Sequence, residues 1–144
     1  NLFVAGFMGS PQMNFIDAEV TKKGSDVYVN FSGFSLKLPE NKAKKVLEGG
    51  YEGKIVKIGI RPEDIHDEEM FISNSPDSVI EATVRVYELL GAEVFLYFTV
   101  DENLEITARV NPRTTARPDD TLKIAFDMNK LHIFDKETEK VITN

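Results

Sequence analysis

Ile80-Glu-Ala-Thr-Val-Arg-Val-Tyr-Glu-Leu-Leu-Gly-Ala-Glu-Val-Phe-Leu-Tyr-Phe-Thr-Val100 carries the clearest structural signal in the chain. Ile80, Ala82, Val84 and Val86 alternate with Glu81, Thr83, Arg85 and Tyr87. After Leu90-Gly91-Ala92, Val94, Leu96, Phe98 and Val100 alternate with Phe95, Tyr97 and Thr99. A period of two on both sides of a short glycine-containing break predicts two antiparallel strands joined by a hairpin. Leu104 to Val110 and Leu122 to Met128 repeat the pattern, and Leu131 to Phe134 and Val141-Ile142 read as short closing strands. The rows ending in Val86, Phe98, Val110 and Phe126 are expected to face the core.

The first half follows the same rule. Ile16, Ala18 and Val20 alternate with acids, Lys23-Gly24-Ser25-Asp26 turns the chain, and Val27, Val29 and Phe31 return it. Phe34, Leu36 and Leu38 continue until Pro39, and Val56, Ile58 and Ile60 form a further strand. Helical spacing occurs near residues 2–8 and 40–48, the second stopped by Gly49-Gly50. Strands near ten-residue spacing, with few helices between them, predict an all-β, antiparallel sandwich or small barrel and exclude a parallel α/β sheet.

Composition narrows the function. The 144 residues contain 42 % hydrophobic side chains, enough to build a core, and have no cysteine, which removes disulfides and thiolate chemistry. Seventeen Lys and Arg against 24 Asp and Glu give a net charge of -7, the wrong sign for holding phosphate backbones. No run of residues approaches the length of a membrane span, and the N-terminus lacks the basic start of a signal peptide. Gly49-Gly-Tyr-Glu-Gly53-Lys54 fails as a phosphate loop, because Glu48 and Ile55 stand where that motif needs glycine and a hydroxyl. His66 and His132 lack the spacing of metal ligands, and no nucleophile elbow occurs. Pro62 to Val84 holds seven acids and no Lys or Arg, which reads as a solvated acidic rim. Tyr87, Leu89, Phe95 and Tyr97 fall opposite the aliphatic core rows of the hairpin. Two readings are open for that cluster: contact with another chain, or strands covered on both sides by their own fold.

Four blocks carry a resemblance that spans the chain: Phe3 to Phe15, Gly59-Ile-Arg-Pro-Glu-Asp-Ile65, Glu88 to Phe98 and Leu131 to Asp135. They resemble the ATP-binding subunits of carbohydrate ABC importers of the maltose and multiple-sugar type. The resemblance implies that residues 1–12 end a linker helix from a nucleotide-binding domain. Residues 13–144 would then form the regulatory and dimerisation domain, an OB-like barrel of the transport-associated, MOP-like kind. It implies no catalytic, cofactor or metal residue in this chain, since ATP and magnesium belong to the nucleotide-binding domain of the parent subunit. It implies a homodimer, contact with that nucleotide-binding domain, the transporter's membrane subunits and in some members a regulatory protein. The place would be the cytoplasm, peripheral on the inner membrane face. The residues expected at such interfaces are Phe3, Phe7 and Asn14 in the first block, Arg61 and Glu63 in the second, and Tyr87, Gly91, Glu93, Phe95 and Tyr97 around the hairpin. Two rival readings of the same barrel are a small-oxyanion binder and a single-strand nucleic-acid binder, the latter opposed by the acidic residues Glu88 and Glu93 beside the aromatics.

Overall fold

The computed structural model describes residues 12–144; the expected helix at 2–8 and the sites Phe3 and Phe7 lie outside them. The chain divides into two compact units, one built from the residues up to Ile60 with Met128–Asn144, the other from Arg61–Asp127. The strands form two sheets, one in each unit.

In the first unit the strands are β1 (Asn14–Lys23), β2 (Asp26–Phe31), β3 (Phe34–Lys37), β4 (Ile55–Ile60), β10 (His132–Asp135) and β11 (Val141–Thr143), ordered β11-β10-β4-β1-β2-β3. Every pairing is antiparallel. The alternation read from sequence buries Ile16, Ala18, Val20, Val27, Val29, Val56 and Ile58 on the inner face. Helix α1 (Glu40–Glu48) lies against both β2 and β11, near opposite ends of the strand order, so the sheet curls round and the helix fills the gap. Ala43 and Val46 are its buried contacts.

The second unit has β5 (Ile65–His66), β6 (Val79–Leu90), β7 (Glu93–Asp101), β8 (Leu104–Val110) and β9 (Thr121–Phe126), ordered β5-β9-β6-β7-β8. Strand β8 also touches β5 and the 3-10 turn Pro62–Asp64, so the five strands form a nearly closed antiparallel barrel. Phe98, Ile106, Ala108, Ile124 and Phe126 fill it, as the alternation predicts. A short helix α2 (Glu69–Ser73) stands within the solvated acidic rim. It lies against β9 and buries none of its own residues, so no apolar stripe announces it.

One expected core position is wrong. Val86 is 48 % exposed, because the β6–β7 ladder shifts by one residue between Val84 and Val86. Before the shift Val84 pairs with Phe98; after it Val86 pairs with Tyr97, Tyr87 with Leu96 and Leu89 with Val94. An extra residue at Arg85 moves every later side chain of β6 to the other face, as a β-bulge must.

Candidate functional site

The bulge decides what the hairpin presents. Directly paired residues of an antiparallel ladder share a face. The pairing therefore splits the aromatic cluster: Tyr87 and Leu89 share a face with the core residues Leu96 and Val94, while Val86, Glu88 and Leu90 join Tyr97, Phe95 and Glu93. Phe95, expected on an exposed face, is buried at 4 %, so for this residue the fold itself provides the cover. The exposed apolar side chains of the hairpin are instead Val86, Leu89 at 59 % and Leu90 at 51 %.

The polar groups around them are tied together. Tyr97 is half-buried and its hydroxyl donates to Glu88 Oε1 at 2.9 Å; burial first, then this carboxylate, push the phenol pKa up. Glu93 lies 3.8 Å from Arg109, and the Arg117 guanidinium sits 4.5 Å from the centre of the Tyr87 ring. Gly91 is exposed with φ of 62°, the left-handed conformation required of a glycine in first place of a two-residue hairpin turn.

The other expected interface residues do not gather here. Arg61 and Glu63 are exposed at the 3-10 turn that opens the second unit. Asn14 is buried in β1, where its Nδ2 donates to the Ile60 carbonyl at 3.1 Å, a bond that ties the ends of β1 and β4 together. His132 Nδ1 donates to Asn144 Oδ1 at 2.9 Å, and His66 stacks on Phe71 at 3.9 Å with Glu68 at 3.0 Å; neither belongs to a metal-binding group among the described residues.

A second polar cluster was not legible in sequence. The Tyr51 hydroxyl donates to Asp135 Oδ2 at 2.7 Å, bridging 84 positions. Asp135 also accepts from the Thr138 and Glu137 amides. The Thr138 amide, then the Tyr51 hydroxyl, hold the Asp135 carboxyl down at about 2. A pKa lowered by folding means that its stabilisation is complete above the ordinary carboxylate range and fades as pH falls from near 4 towards 2. In a carbon-detected NMR titration, Tyr51→Phe should move the Asp135 midpoint upwards; an unchanged midpoint would show that the hydroxyl contributes nothing.

A cleft of the second unit is walled by Asp67, Glu68, Glu69 and Asp120, with Arg113 as its cation. Thr114 Oγ1 donates to Asp67 Oδ2 at 2.6 Å across it. This excess of carboxylates repels an oxyanion.

Residues 58–134 match the family model described as the TOBE domain, and residues 9–65 match the MalK OB fold domain. The chain belongs to the TOBE domain family. The matched modules are TOBE and OB domains, distinct from an ATPase domain. The TOBE chain is 45 % identical over 139 residues to the oligosaccharides import ATP-binding protein MsmX of Bacillus subtilis, covering 96 % of this chain and 37 % of that protein. It is 39 % identical over 143 residues to the trehalose/maltose import ATP-binding protein MalK of Thermococcus litoralis, covering 99 % and 37 %. The chain thus spans little more than a third of the length of these relatives. Among solved structures, the cytoplasmic molybdate-binding protein ModG superposes with a TM-score of 0.61 over 88 % of this chain and 96 % of that one, at 12 % identity. That likeness is one of fold. No helix among the described residues of the TOBE chain is long and apolar enough to cross a membrane.

Proposed function

We propose that this chain is the regulatory and dimerisation portion of the ATP-binding subunit of a sugar ABC importer. The observation that carries the reading is the near-complete alignment of the chain to a minor part of importer ATP-binding proteins, at up to 45 % identity. ATP and magnesium are then handled by the remainder of the subunit. Two copies of this portion pair and hold their ATPase domains at high effective concentration through the open and closed stages of the cycle. The subunit works in the cytoplasm against the membrane subunits of the transporter, with a regulatory protein as a further partner. Nucleic acid is no partner, because the net charge of -7 repels it.

Charge sets how the pairing responds to salt. Like charge on both copies opposes association, and screening over roughly 8–10 Å relieves it. Sedimentation equilibrium should show a reversible dimer that tightens as ionic strength rises. A monomer at every concentration and both low and high salt would reject pairing by this portion alone.

A further inference from the structure

The acidity of the chain is unevenly placed. Arg61–Asp127 holds fifteen Asp and Glu against six Arg and Lys, whereas the rest of the chain holds nine against eleven. The exposed hairpin therefore stands on a strongly negative unit. Three of its five arginines are already engaged: Arg85 lies 3.9 Å from Asp119, Arg109 lies 3.8 Å from Glu93, and Arg117 covers the Tyr87 ring while donating to the Ala116 carbonyl at 2.7 Å.

The same strand has an open edge. Pairing of β6 with β9 ends at Thr83 and Thr121, and the last backbone bonds on that side join Val84 to Asp119 and Asp120 at 2.8 Å. Among the described residues, the strand from Val86 to Leu90 pairs with β7 alone. A strand edge of this length, with exposed apolar side chains, is a template for an added strand.

We infer that the outer edge of β6 from Val86 to Leu90 docks an extended segment of another protein, one in which basic and apolar side chains alternate. The added strand takes up the open backbone edge, its apolar side chains extend the face of Val86 and Leu90, and its Lys or Arg residues, on the other face, answer the negative unit. A second copy of this chain is the poorer occupant, because pairing two such edges brings two negative units together. The inference goes beyond the tethering reading and stands even if the isolated chain is a monomer.

The test is calorimetric titration of the whole chain with an acetylated, amidated (Val-Lys)4 peptide at low salt, with (Val-Glu)4 as the charge-reversed probe. Saturable one-to-one binding of (Val-Lys)4 is expected, at least about tenfold tighter than (Val-Glu)4. Hydrogen exchange should slow at amides between Val86 and Leu90 in the complex. The double variant L89K/L90K, altered only at exposed positions, should bind at least about tenfold more weakly while keeping its urea midpoint. Absent binding, equal affinity for both peptides, unslowed exchange at Val86 to Leu90, or full affinity in L89K/L90K would each overturn the inference. Self-association that L89K/L90K abolishes would also overturn it and give the edge to a second copy.

Discussion

Phe95→Glu should cost about 4 kcal/mol or more and leave Arg61–Asp127 largely unfolded near room temperature. The side chain is 4 % exposed, so the change removes an aromatic ring from packed surroundings, which alone costs about 3–5 kcal/mol when the replacement is alanine. It also places a carboxylate where water cannot reach it freely. Phe95 pairs with Arg109 on one side, whose guanidinium is shared with Glu93 at 3.8 Å, and with Glu88 on the other, so the arginine's charge offsets only part of the loss while the neighbouring carboxylate adds to it. Leu89→Glu is the informative partner experiment: at 59 % exposure it should shift stability by no more than about 0.5 kcal/mol. Urea unfolding of both variants checks the pair. Equal midpoints would contradict the burial of Phe95 beside an exposed Leu89.

Gly59→Val should lower the stability of the first unit by roughly 1–3 kcal/mol, through overpacking. Gly59 pairs with Phe15 on one side and His132 on the other. A Cβ there would stand 2.6 Å from Met13 Sδ and 3.2 Å from ring carbons of both Phe15 and Phe134. Those two rings already meet edge to face with centroids 6.1 Å apart, which leaves the methionine to move. Valine's preference for strands is worth about 1 kcal/mol at most and does not repay the displaced contacts. Thermal unfolding should fall by several degrees. Met13→Ala in the Gly59→Val background should recover part of the loss, a coupling that two independent sites would not show. A valine variant as stable as the parent would mean that the methionine and rings part at little cost.

The two glycines of the quoted blocks illustrate different reasons for one residue type. At Gly91 the backbone conformation demands it, since φ is 62°. At Gly59 the demand comes from three side chains that close over the backbone. Only the first is announced by its neighbours in sequence, as a break between two alternating runs. The second depends on Met13, Phe15 and Phe134, which are brought together by β1, β4 and β10.

The alternation of apolar and polar residues was sufficient for the strands, the antiparallel class, α1 and most of the core, because burial of one sheet face imposes a period of two on the chain itself. The family could be read from four blocks for the same reason that the core could: the information is local. Tertiary structure decided what no local pattern encodes. The extra residue at Arg85 leaves the alternation of Val84 and Val86 with Arg85 and Tyr87 intact on paper, yet it reverses the faces of the later residues of β6, since the facing strand sets where the ladder shifts. Val86 and Leu90 passed in this way from the core row to the exposed edge, whereas Phe95 kept its face on β7 and is buried because the fold covers that face as well. The bond from Tyr51 to Asp135 likewise required two residues 84 positions apart to meet, a distance over which sequence spacing says nothing.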